Sequence, residues 1–207
     1  MEQHFVSQKS FRYFTSGNAE KATKLLVVLH GYGQLAEYFI RKFNFLSEDY
    51  FIVAPEGMHR FYLKGSSGRV GASWMTKEDR NSDIQDNLNW LTELVNYLTK
   101  HKSFDSKAII GFSQGGATAS RWVQHKSIDW DTFIAYASVY PPDLSMDNET
   151  NNSVANYFVI GNEDEYFDES AREKTIEEYQ KLGFTIKTFD GKHDINQLII
   201  SDILTIK

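Results

Sequence analysis

The feature that most limits the fold is a succession of short apolar runs in which hydrophobic and polar residues do not alternate. Leu25-Leu26-Val27-Val28-Leu29 is the purest of them. Phe51-Ile52-Val53-Ala54 and Ala108-Ile109-Ile110 follow, Thr132 to Ala137 and Tyr157 to Ile160 continue the series, and Phe184 to Phe189 closes it. A strand wetted on one face shows a period of two, so runs lacking that period belong to strands covered on both faces. Segments with helical spacing lie between them. The clearest, Asp79 to His101, puts Ile84, Leu88, Leu91, Leu94, Val95 and Leu98 on one side. Ser113 to Lys126 and Ser170 to Leu182 are also expected to be helical, the second capped by Gly183. A last helix over Asp194 to Ile206 aligns Ile195, Leu198, Ile199, Ile203 and Ile206. Phe5 to Phe14, aromatic and β-prone, is expected to supply one or two strands that start the sheet. Strands alternating with helices require crossover connections, which makes the fold class α/β, with a mostly parallel central sheet layered by helices.

A chain of 207 residues is long enough to bury a substantial core, and residues 1–207 are expected to form a single domain. The net charge of −6 and the absence of a Lys/Arg run argue against a nucleic-acid partner. No apolar run approaches the roughly 18 residues that would span a bilayer, so integral membrane association is not expected. Met1-Glu2-Gln3-His4 lacks the basic-then-apolar pattern of a signal peptide. With no cysteine there is no disulfide, no thiolate metal site and no cysteine nucleophile. Cytoplasmic location is the expectation. Asn148-Glu149-Thr150 and Asn151-Asn152-Ser153 match the glycosylation pattern and are read as coincidence.

One junction carries chemistry. Ala108-Ile109-Ile110-Gly111-Phe112-Ser113-Gln114-Gly115-Gly116-Ala117 runs from an apolar strand into G-x-S-x-G and then a helix of small residues. That order describes a sharp turn that lifts a serine hydroxyl clear of a sheet edge. Gly111 and Gly115 are required because a Cβ at either place would strike the neighbouring strand or helix, while the helix N-terminus presents free N–H groups to developing negative charge. If Ser113 is a nucleophile, the acid and then the histidine must follow it in the chain. Of six histidines, His4, His30, His59 and His101 precede Ser113, and His125 lies in its helix. His193 remains, in the loop Asp190-Gly191-Lys192-His193-Asp194. The acid belongs to the loop after Tyr157 to Ile160, where Gly161-Asn162-Glu163-Asp164-Glu165-Tyr166-Phe167-Asp168 offers several carboxylates. Asp164, close behind the strand, is the choice. Glu163, Glu165 and Asp168 read as solvated or as caps of the next helix, and Asp143 is the substitute.

Together, Leu29-His30-Gly31-Tyr32-Gly33, Gly111 to Gly116, Gly161 to Asp164 and Gly191-Lys192-His193 resemble α/β-hydrolases of the phospholipase/carboxylesterase family, which includes acyl-protein thioesterases. Gly71-Ala72-Ser73-Trp74 is similar to that family's tryptophan-bearing substrate loop. The resemblance covers nearly the whole chain. It implies Ser113 as nucleophile, Asp164 as acid, His193 as base, and an oxyanion hole from the backbone N–H groups of Tyr32 and Gln114. His30 is then a turn residue. An α/β-hydrolase fold is implied, with no metal and no cofactor expected; the stretch from Ala137 to Tyr157 is too short for a cap domain. The expected activity is cleavage of carboxylic esters, or thioesters, in the manner of a carboxylesterase or lysophospholipase. Alternatives are a noncatalytic binding protein on the same fold, or hydrolysis of lactone or peptide bonds.

The expected partner is a small acyl ester or thioester. The stretch between Pro55 and the long helix reads as a functional loop. Its Phe61, Tyr62 and Trp74 are candidates to line an acyl groove, with packing on the core as the other reading, and Tyr140 is a candidate for a further wall. Arg60, Lys64 and Arg69 read as solvated charge, with attraction of an anionic substrate as the alternative.

Overall fold

The computed structural model describes residues 1–144 and 154–205; the two glycosylation-like triplets and Ile206 lie outside the described residues. Every apolar run becomes a strand. A seven-stranded sheet is built from β1 (Tyr13–Ser16), β2 (Lys24–Leu29), β3 (Tyr50–Pro55), β6 (Ser106–Phe112), β7 (Thr132–Tyr136), β8 (Ala155–Gly161) and β9 (Thr185–Phe189), in the spatial order β1-β3-β2-β6-β7-β8-β9. Only β1 runs antiparallel, against β3; all other neighbours are parallel.

The absence of alternation now has its cause. Leu25, Val27 and Leu29 of β2 enter one apolar cluster and Leu26 and Val28 enter another on the opposite face. The first cluster is closed by α2 (Arg80–Thr99), α3 (Gln114–Gln124) and α4 (Glu169–Lys181), through Leu88, Trp90, Leu91, Val95, Trp122 and Tyr179. The second is closed by α1 (Ala36–Phe39), the 3₁₀ stretch Ile40–Leu46 and α5 (Gln197–Thr205), through Phe39, Phe43, Ile200 and Ile203. Both faces are dry at the centre of the sheet, so both sides of the inner strands are apolar, while the edge strands β1 and β9 keep exposed positions.

Three local expectations are corrected. Before Tyr13 the N-terminal segment forms no strand: Phe5 and Val6 are 92% exposed, while Phe11 stacks flat on Trp90 at 4.6 Å. Aromatic content there serves one docking contact, not a ladder. The stretch after Pro55 is not a bare loop but an antiparallel hairpin, β4 (His59–Tyr62) and β5 (Val70–Ser73), joined to the chain after β2 through Gln34 and Ala72. The last helix starts late because Asn196 caps it, its Oδ1 accepting the N–H groups of Leu198 and Ile199. That start turns Leu198 outward, 81% exposed, and puts Ile200 and Leu204 into the core beside Ile203.

The strand order fixes where a site can form. From β2 the chain moves outward to β3 and then returns to place β6 on the other side of β2, so β2 and β6 flank the point where the order reverses. In open α/β sheets the crevice beyond the carboxyl ends at that point is where ligands bind.

Candidate active site

Leu29 and Gly111 are paired across β2 and β6, which brings the turn His30 to Gly33 against the turn at Ser113. Ser113 has φ 53° and ψ −120°, a conformation that costs about 1–3 kcal/mol for a residue with a side chain. Main-chain bonds hold it there: the Ser113 N–H donates to Tyr136 O at 2.8 Å, and Gly116 N–H donates to Ser113 O at 2.9 Å. A Cβ on Gly115 would collide with the carbonyl oxygens of Leu29 and His30, so only glycine lets α3 start this close to β2. Gly31 lies equally close to the serine; a Cβ there would be 3.2 Å from Ser113 Cβ.

The Gln114 side chain was not singled out in the sequence. Its Oε1 accepts the N–H of Trp74 at 3.0 Å, and its Nε2 donates to Met75 O at 2.8 Å. The residue after the serine thus clamps the end of β5 to the turn. Among the described residues the backbone N–H groups of Gln114 and Tyr32 donate to no other main-chain group, one at the start of α3 and the other just past β2.

The second half of the site comes from β8 and β9. Asn162 N–H donates to Phe189 O at 2.8 Å and Glu163 N–H to Gly191 O at 3.0 Å, joining the two loops. Within them, His193 Nδ1 lies 2.7 Å from Asp164 Oδ2. Asp164 is 2% exposed, and its Oδ1 accepts the Tyr166 N–H at 3.0 Å. Glu165 accepts the His193 N–H at 3.2 Å; a bond from its own backbone N–H, and then the one from His193, hold its carboxyl below the usual range. The imidazole is sandwiched, 4.7 Å from the Phe112 ring and 4.4 Å from the Tyr166 ring, centroid to centroid. Because Phe112 immediately precedes Ser113, that packing sets the histidine against the serine turn. Asp168 caps α4 by accepting Ala171 N–H. Asp143 is drawn off elsewhere: Arg121 grips it with two bonds of 2.6 and 2.8 Å, Arg80 adds a third, and the Arg121 bonds lower its carboxyl to about 2.

A serine on a strained strand-to-helix turn, beside a carboxylate-bound histidine at a sheet's switch point, is the setting in which the comparisons with known proteins are informative. The family model for serine hydrolase (FSH1) matches residues 19–197, which takes in every element from β2 to the start of α5. The chain belongs to the FSH1 serine hydrolase family.

This serine hydrolase shares the α/β-hydrolase fold with a carboxylesterase from Mesorhizobium loti (TM-score 0.74, 16% identity, 94% of each chain covered). It is similar in the same way to acyl-protein thioesterase 2 from Zea mays (TM-score 0.70, 14% identity, 93% of this chain and 95% of that one). A phospholipase/carboxylesterase from Dyadobacter fermentans matches at TM-score 0.63 and 19% identity, over 97% of this chain and 99% of that one. No curated protein sequence matches the chain. The resemblance to α/β-hydrolases read from the sequence is borne out.

The aromatic candidates separate. Trp74 is 0% exposed; its Nε1 donates to His30 O at 2.8 Å and its ring stacks 6.3 Å from Trp90. An indole so enclosed is core, and its place as a groove wall is corrected. Tyr140 leans edge-on against Tyr179 at 5.8 Å and its hydroxyl bonds to Gln124, which ties it to α3 and α4. Tyr62 is half exposed at the end of β4, opposite Val70. Phe61 packs on Tyr32 at 5.1 Å and stands at the rim of the turn after β2. His30 is structural. Its Nε2 accepts Gly57 N–H at 2.9 Å and Nδ1 lies 2.8 Å from Gly31 O, so the proton sits on Nδ1. Burial lowers its pKa to about 4.

Proposed function

We propose that this serine hydrolase cleaves carboxylic esters through an acyl-enzyme, with Ser113 as nucleophile, His193 as base and Asp164 as the group that orients the base. The observation that carries this reading is the 2.7 Å bond between His193 Nδ1 and the buried Asp164 carboxylate. A carboxylate accepts only, so the imidazole proton is on Nδ1 and the Nε2 lone pair is left to take a proton. Ser113 Oγ attacks the ester carbonyl while Nε2 takes the hydroxyl proton, and Asp164 stabilises the imidazolium. The tetrahedral oxyanion is received by the N–H groups of Tyr32 and Gln114, each contributing on the order of 3 kcal/mol to the transition state. Collapse expels the alcohol, which takes the proton from His193, and water repeats the sequence to release the acid. Thioesters and lysophospholipids present the same acyl carbonyl and fall within this chemistry.

Ser113→Ala is expected to lower kcat for p-nitrophenyl butyrate by on the order of 10⁶-fold. A fluorophosphonate probe should label Ser113, as read by mass spectrometry of the digested protein. Full retained turnover in the variant would remove the proposal.

A further inference from the structure

Beside the turn after β2 lies a cleft of about 570 Å³, bordered by Gly33 and Gln34 and running between α1 and the start of β5. Leu35, Tyr38, Phe39 and Val70 line it, and two cations, Lys42 and Arg69, face it; no carboxylate is among the lining residues. From this arrangement we infer that the cleft is the acyl site and that it selects acyl chains ending in an anionic group, such as monoesters of dicarboxylic acids. The inference deepens the esterase reading and rests on it.

The charge pattern carries the argument. Arg12 and Arg60 pair with Glu56, Arg41 with Glu37, Arg80 and Arg121 with Asp143, and Arg172 donates to Asn162 O. Arg69 alone among the arginines has no acceptor, side chain or main chain, for its guanidinium among the described residues, in a chain of net charge −6. Lys42 is balanced by Asp194 at 2.6 Å, so the uncompensated charge in the cleft is the Arg69 guanidinium. Its planar fork matches a carboxylate bidentately.

The placement identifies the acyl half of the substrate. His193 must return its proton to the leaving oxygen, which puts the alcohol beneath the imidazole between Phe112 and Tyr166. The cleft begins at the chain that follows Tyr32, on the side where the carbonyl oxygen would be held, and extends to Lys42, which pairs with Asp194 beside His193. Apolar Leu35, Phe39 and Val70 suit methylenes, and the cations suit the far end.

The test compares two p-nitrophenyl esters of similar shape, the monoester of glutaric acid and the ester of 5-methylhexanoic acid. Alongside them, the corresponding unreactive anilides are used as binding probes in calorimetry. Wild-type protein should favour the glutarate ester in kcat/KM. Arg69→Glu should reduce that preference by roughly tenfold or more, and Arg69→Gln by less, with the same ranking in anilide Kd. Turnover of both esters with a preference that neither variant changes would overturn the cleft assignment and leave the esterase reading standing. Arg69-dependent binding of the glutarate anilide without turnover of either ester would do the reverse. Equal affinity of the wild type for the two anilides would also overturn the assignment.

Discussion

The two halves of the site are built by opposite means. Around Ser113 the parts are main chain: carbonyls, N–H groups and glycines packed where no Cβ fits, with the Gln114 side chain bridging to β5. Around His193 they are side chains on loops, where Asp164, Glu165 and Tyr166 each touch the histidine and Tyr166 is 74% exposed. The difference follows from the task. An oxyanion position must not move, because misplaced donors lose most of their effect. A base needs only one ring held in one tautomer, and a single buried carboxylate does that.

The sharpest way to break the comparison is to alter one atom on the side-chain half. Asp164→Asn keeps the shape of the loop but offers an amide to Nδ1, and kcat should fall by roughly 10⁴-fold. Urea unfolding should move far less than activity; an equal collapse of both would make the two halves alike. Next in size is a pH effect on the main-chain half. His30 is neutral and buried, with its pKa lowered from 6.5 to about 4. The unfolded chain therefore takes up the proton first as pH falls. The stabilisation is whole above pH 6.5 and is lost progressively down to about pH 4, by on the order of 3 kcal/mol. The stability advantage of wild type over His30→Gln should shrink across that window; a constant difference would show that His30 does not charge on unfolding. Smallest is Gly115→Ala, where a methyl pressed on the Leu29 and His30 carbonyls should cost about 1–3 kcal/mol in denaturant melts. Retained wild-type stability would mean that the serine turn has slack.

Much of this was legible in the chain. Ser113 could be found because the turn is a contiguous pattern, and His193 and Asp164 because chain order leaves few candidates. The aromatic residues were harder. Trp74, Phe61 and Tyr62 sit within one glycine- and serine-rich stretch, yet one is core, one rim and one half exposed. No local period distinguishes them, since their environment comes from His30, Trp90 and Tyr32, which are distant or on other elements.

By itself the sequence determined the inner strands and the long helices of the fold, because burial on one face or two imprints a period on neighbouring residues. It also determined the serine turn, because only glycines tolerate that close approach. The tertiary structure alone decided that β2 lies beside β6, that a hairpin stands over the turn between them, and that Arg69 meets Lys42 across an apolar cleft. Those are contacts between residues far apart in the chain, and strand order, which sets them, leaves no mark on local spacing.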